Sequence, residues 1–259
     1  MLRQGLLTTL SCLAAISGVA TGRPVERRNV INHDAVVGLP ETVPAGTIGD
    51  LYLKHKPYLK VFNGCVPFPA VEADGDTRYV KNTPFSLQVY SKSSQFEYSG
   101  GLSPSGSPEG GCSSSAGQVY VRSAQYGSAF AIMYSWYMPK DSPSSGLGHR
   151  HEWENIVVWL SGASTSASVL GVAVSQHGGH DKSTSPDMSG THPTVGYISY
   201  WPVNHQLIFT STVGGTQPLV AWENLTDAAR KALTETDFGD ATVPFKDSTF
   251  GNQLASAAL

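Results

Sequence analysis

A mainly β fold, a single-domain β-sandwich with peripheral helices, is what this 259-residue chain predicts. Three observations carry the prediction. Six short apolar or alternating runs follow one another between Gln118 and Val213, separated by clusters of Gly, Ser, Pro and Asn. No helical pattern alternates with those runs, as a parallel sheet would require. Nor does any repeat or linker divide the chain, so one domain is expected over 29–259.

The elements can be taken in order. Residues 1–22 have a basic start (Arg3), an apolar middle (Leu6 to Ala20) and small residues at Gly18-Val19-Ala20 or Ala20-Thr21-Gly22, the pattern of a signal peptide. A membrane anchor would need about 20 apolar residues, and Thr8, Thr9, Ser11 and Ser17 interrupt this stretch. Residues 23–28 read as a short pro-piece ending in the dibasic Arg27-Arg28. No later segment is long or apolar enough to span a bilayer, so the chain is expected to be secreted and extracellular.

Of the three cysteines, Cys12 leaves with the signal, and Cys65 and Cys112 remain. In an oxidising compartment such a pair most often bridges, the alternative being two buried free thiols. The expected bond would close a long loop, worth about 4 kcal/mol in the chain-entropy model. Thr47 to Lys54 reads as a short helix ended by Pro57, and Asn63 to Pro69 as a turn-rich corner. Ser91 to Ser115, rich in Ser and Gly, reads as a surface loop tied back at Cys112.

Gln118–Arg122 alternates polar and apolar residues, and Phe130–Tyr137 is apolar on both faces. Asn155–Leu160, Val169–Ser175, Val195–Tyr200 and Gln206–Val213 continue the strand pattern. In Thr226–Leu233, Thr226 can cap a helix whose Leu225, Ala229, Ala232 and Leu233 share a face. Asn224-Leu225-Thr226 is a glycosylation sequon, with Asn224 the acceptor. A formal net charge of -3 and the lack of any basic run argue against a nucleic-acid partner.

Chemistry is concentrated in Gly148-His149-Arg150-His151-Glu152-Trp153-Glu154. Only 14% of the chain is charged, against roughly 25% in ordinary domains, yet these seven residues hold two imidazoles, two carboxylates and a guanidinium. Such groups must pair, meet water or hold a cation. On a strand from Glu152 to Leu160, Glu152 and Glu154 share a face with Ile156 and Val158. Two like charges so placed repel, and a cation between them relieves the repulsion. His149 has the other parity and joins them if the chain turns at Gly148, while Asp141 ends the preceding strand before a loop long enough to fold back.

Carboxylates with a single imidazole suit a hard divalent ion such as magnesium, calcium or manganese. The zinc-peptidase pattern fails because Asn155 stands where a second histidine is needed. Two alternatives stay open. One is a cupin-like site on His149, His151 and Glu154, and the other a surface ion-pair cluster of Arg150 with Glu152 and Glu154.

Ala131 to Pro143 followed by Gly148 to Glu154 resembles the hallmark region of the necrosis- and ethylene-inducing-like proteins, secreted toxins of plant-associated microbes. The likeness extends through Asn63–Pro67, Gly117–Arg122, Ser175–Gly178 and Asp237–Gly239. It implies an actinoporin-like β-sandwich with a divalent cation at one end, held by Asp141, His149, Glu152 and Glu154. It further implies a crevice for plant sphingolipid head groups, the sugars of glycosyl inositol phosphorylceramides, that includes His177, Trp201, Asn204 and His205. The resemblance makes residues 131–154 a segment sensed by a plant pattern-recognition receptor, and the single cysteine pair places the chain in the two-cysteine type.

The family usually has aspartate where this chain has Glu152, which moves a carboxylate outward by one methylene. Asn204 is neutral where an acid is usual. Trp201 beside Pro202 suits a membrane interface, the other reading being a core tryptophan. The expectation is a non-enzymatic, metal-dependent cytolysin. A non-cytolytic relative sensed as an immune pattern and a secreted metal-dependent enzyme are the alternatives.

Overall fold

The structure, a computed structural model, describes residues 28–72, 96–200 and 205–259. Twelve strands and three α-helices make up the described part. The first strands are β1 (Arg28–Ile31), β2 (Tyr58–Val61), β3 (Phe96–Ser99) and β4 (Val119–Tyr126). Two long ones follow, β5 (Ala129–Asp141) and β6 (His149–Leu160), then β7 (Val169–Gln176) and β8 (Gly179–Ser183). The last are β9 (Met188–Ser189), β10 (His192–Ser199), β11 (His205–Phe209) and β12 (Leu219–Ala221). The helices are α1 (Thr47–Lys54), α2 (Asp227–Glu235) and α3 (Phe250–Ala257).

The organising element is a six-stranded sheet in the order β12-β4-β5-β6-β7-β8, antiparallel except where β12 meets β4. A second sheet, β11-β10-β2 with β9 beside β10, mixes antiparallel and parallel pairs. A parallel pair, β1 and β3, stands apart.

Side-chain parity explains why β5 and β6 are buried almost without interruption. On one face of the large sheet Tyr134 reaches α1, its hydroxyl donating to Tyr52 O at 2.8 Å. Trp136 on the same face donates from Nε1 to Gln217 Oε1 at 2.8 Å. On the other face Tyr120, Tyr137, Trp153 and Trp159 meet the C-terminal segment. Phe245 stacks on Tyr120 at 5.4 Å, Phe238 stands edge-on to Trp153 at 5.7 Å, and Trp159 Nε1 donates to Ala257 O. A sheet covered on both faces needs apolar residues at every position rather than at alternate ones.

The helix over Thr47–Lys54 has the expected limits, and Thr226 caps α2 by accepting from Ala229 N at 3.1 Å. Three differences have physical causes. The Ser and Gly loop contains β3, a strand without an apolar run of its own that forms because β1 supplies a partner. β11 ends at Phe209 rather than Val213. α3 lacks a capping side chain and is only eight residues long, and packing of its one apolar face, Phe250, Leu254 and Ala257, holds it.

Cys65 and Cys112 are bonded, across 47 positions of sequence. The loop they close is anchored a second time by the buried Lys140, whose Nζ donates to Ser105 O at 3.1 Å and Ser107 O at 3.0 Å. The signal-peptide segment and pro-piece residues 23–27 lie outside the described residues, and Arg28 already pairs with Phe96. Among the described residues no helix is long and apolar enough to cross a membrane.

Candidate metal centre and crevice

Asp141 ends β5 and His149 begins β6, and the two face each other in the antiparallel register. Gly148 makes that closure feasible: its φ is 90°, and a β-carbon there would lie 2.2 Å from Asp141 O. The change of parity that brings His149 beside the carboxylates occurs elsewhere, however. It happens at His151, whose φ of 65° puts one residue of β6 in the left-handed region and breaks the alternation between His149 and Glu152. Pro139 stands at the matching place on β5, where the ladder skips a pair.

His151 is held in that conformation by its surroundings. Its Nδ1 lies 2.7 Å from the Tyr137 hydroxyl, and its ring stands edge-on to Phe238 at 5.2 Å. Burial, then the charge of Arg150, push its pKa down to about 4, so it is a neutral structural imidazole. His151 lies outside the group formed by Asp141, His149 and Glu152, so the cupin-like arrangement on His149, His151 and Glu154 does not form.

One donor atom from each of Asp141, His149 and Glu152 falls within 4.8 Å of the others. His149 Nε2 is 3.8 Å from Asp141 Oδ2 and 3.5 Å from Glu152 Oε2. Side-chain exposure rises from 0% at Asp141 to 15% at Glu152 and 24% at His149, so the cluster opens to solvent on the histidine side. Glu154 is next to it, its Oε2 accepting from Ser175 Oγ in a short hydrogen bond. Arg150 is turned away, its Nη1 donating to Gly100 O at 2.8 Å and Gly101 O at 3.2 Å. The ion-pair alternative is thereby overturned.

The electrostatics are those of acids crowded together. Burial, then the charge of Asp141, raise the Glu152 pKa to about 7, partly opposed by His149 and by the Trp153 N–H that donates to Oε1 at 2.7 Å. Burial, then Glu152, hold Glu154 well above the usual carboxylate range. For His149, burial lowers the pKa but is outweighed by Glu152, the His151 carbonyl and Asp141, and the result is raised. Oxygens in excess over nitrogen, mutually repelling and open on one side, fit a hard divalent cation better than zinc.

Behind the cluster lies a crevice of about 240 Å³, lined among others by His149, Glu152, Glu154, His177 and His205. His177 and Gly178 form the tight turn between β7 and β8, with φ of 40° and 81°. His205 begins β11 and pairs with Asp141, its Nδ1 meeting Oδ1 in a short contact and its backbone N donating to Oδ2 at 3.2 Å. Trp201 and Asn204 lie outside the described residues. Sequence reasoning missed Ser175, Gln176 and Asp240, all on the crevice wall. Ser175 and Gln176 fall within a stretch of family likeness, while Asp240 has no local signal. Asn224 is exposed at the end of a 3₁₀ turn, Trp222–Asn224.

The family model described as Necrosis inducing protein (NPP1) matches residues 49–79 and 91–257. The chain belongs to the NPP1 family. Among NPP1 relatives, NLP effector protein 10 of Phytophthora capsici is 45% identical over 237 residues, 89% of this chain and 92% of that one. Necrosis-inducing protein NPP1 of Phytophthora nicotianae is 41% identical over 255 residues, 96% and 99% of the two chains. A solved structure of NLPPya in complex with mannosamine superposes with a TM-score of 0.77 at 44% identity, covering 89% of this chain and all of that one. NLPPya is also solved in complex with glucosamine, with a TM-score of 0.76. The structure of the non-toxic HaNLP3 protein matches with a TM-score of 0.75 at 38% identity, over 87% of this chain and 98% of that one.

Proposed function

We propose that this NPP1-family chain is a secreted, non-enzymatic cytolysin that holds sugar head groups of plant sphingolipids beside a divalent cation. The observation that carries this reading is the convergence of Asp141, His149 and Glu152 donor atoms at the edge of a polar crevice. Magnesium or calcium would be held by Asp141, His149 and Glu152, with Glu154 beside them, and would supply positive charge to sugar oxygens. His205 orients Asp141, and Ser175 orients Glu154. His177 stands at the crevice rim, and Trp201 and Asn204 would complete it. Asp240, exposed on the wall, adds a negative charge suited to a protonated amino sugar, in keeping with the two amino-sugar complexes of NLPPya. Sugar recognition at this place needs no catalytic group, and the named relatives are effectors and necrosis-inducing proteins.

Recognition by a plant receptor through 131–154 has a structural condition. That segment lies in β5, β6 and their connection; its β5 residues and half of its β6 residues are buried, while the connection and Arg150 are accessible. A receptor could read the connection on the folded chain, but the β5 part only from a chain that has been opened or cut.

The test is dye leakage from vesicles containing glycosyl inositol phosphorylceramide, with and without a chelator. Leakage confined to those vesicles and abolished by EDTA is expected. Equal leakage with EDTA present rejects the metal-dependent mechanism. A second reading, a non-cytolytic member that keeps fold and immune recognition, is favoured by the likeness to non-toxic HaNLP3 and by Glu152 in place of the usual aspartate. Leaf infiltration that gives immune responses without necrosis would select it.

A further inference from the structure

The hydroxyl of Tyr197 and Nε2 of His205 are buried and have no hydrogen-bonding partner among the described residues. Their rings stack, with centroids 4.6 Å apart and planes 13° from parallel. The arrangement follows from β10 and β11, where Tyr197 pairs with Leu207, two positions beyond His205. His205 in turn holds Asp141 through Nδ1 and its backbone N–H. The phenol is therefore one ring away from the innermost acid of the site. Burial, then the charges of Asp141, Glu152 and Glu154, raise its pKa well above the ordinary value, so the same three acids act on this one hydroxyl.

A buried hydroxyl without a partner costs about 1–3 kcal/mol, and proteins supply the partner from their own groups or from ordered water. Hard divalent cations, magnesium above all, keep several waters when bound by few protein ligands. Those waters are in turn fixed by groups of the surrounding shell, whose loss typically weakens metal binding by about 10–100-fold.

We propose that the Tyr197 hydroxyl is a positioning group of the metal centre, holding by hydrogen bond a water that hydrates the cation at Asp141, His149 and Glu152. The proposal rests on the reading of that cluster as a divalent-cation site. It assigns the hydroxyl and the ring separate tasks. The ring supports His205 by stacking, and the hydroxyl serves the hydrated ion.

Tyr197→Phe separates the two tasks, because it keeps the ring and removes only the oxygen. The experiment is calorimetric titration of wild type and Y197F with magnesium and with manganese, together with thermal unfolding in EDTA and in excess magnesium. In EDTA, Y197F is expected to melt at or above the wild-type temperature, since a buried hydroxyl with no partner among the described residues has been removed. Its cation affinity is expected to fall by about 10-fold or more, and the magnesium-induced rise in melting temperature to shrink. Affinity within twofold of wild type overturns the proposal, as does a variant destabilised in EDTA whose affinity is unchanged. If wild type itself takes up no divalent cation, the metal reading fails and this inference with it. If wild type binds and Y197F binds equally well, only this inference fails.

Discussion

Gly64 lies directly against the imidazole of His205: a β-carbon on Gly64 would stand 2.3 Å from Nε2 and 2.9 Å from Cδ2. Gly64 also has φ of 85° and precedes the disulfide-bonded Cys65. Gly64→Ala therefore meets two penalties, backbone strain of about 1–3 kcal/mol and a push on the ring that orients Asp141. Urea unfolding should show a loss of that order, and calorimetry a weaker divalent-cation affinity. Unchanged values in both would mean that His205 can shift without cost to the site.

Glu152→Gln should move stability and metal binding in opposite directions. Its carboxylate is raised in pKa chiefly by burial and then by Asp141, so the neutral amide relieves a cost that the cation-free protein bears. Thermal unfolding in EDTA should show a higher midpoint than wild type. Cation affinity should fall by at least the roughly tenfold seen when a supporting group is removed. A variant less stable in EDTA would show that the charge is favourable without a cation.

His180 gives the fold a pH dependence of predictable sign. Its Nε2 lies 3.1 Å from Asn155 Oδ1 and its Nδ1 3.0 Å from Ser256 Oγ, and burial, then Lys182, lower its pKa to about 4 from 6.5. Between those values the unfolded chain holds a proton that the folded chain lacks. Stability from this group is thus fully present above about pH 6.5 and is lost as pH falls toward 4. In His180→Gln that portion of the slope should vanish from melting curves measured in EDTA. An unaltered slope would place the dependence on other groups.

Replacing both Cys65 and Cys112 by Ser should cost about 4 kcal/mol, the chain-entropy value for a loop of this length. The 47-position separation gives the bond its leverage. Urea unfolding under matched conditions measures the loss. A change below about 1 kcal/mol would mean that the unfolded chain is already restricted without the bond, or that strain in the folded loop offsets it.

How far the sequence could be read depended on whether the signal was local. The helix at Thr47–Lys54, the Thr226 cap and the central strands depend on periodicity and capping within a few residues, and they stand where expected. The shared face of Glu152 and Glu154 was equally legible. His151 was not, because a left-handed residue inside a strand is decided by tertiary contacts with Tyr137 and Phe238. Gly148, the obvious hinge in the sequence, closes the connection, whereas His151, three positions later, redirects His149 toward the carboxylates. Asp240 reaches the crevice wall from a distant part of the chain, and Tyr197 joins the site only through its stack on His205, so no spacing rule could have associated either with it.

The covering of the large sheet on both faces limits how this chain can meet a bilayer. Peeling away the C-terminal layer would bare Tyr120, Trp153 and Trp159, each worth about 1.5–3 kcal/mol of lost burial. A hairpin cannot be spared for threading through lipid at such expense. If the chain acts as the cytolysin proposed above, this architecture favours a rigid body that works from its rim rather than one that unfolds into the bilayer.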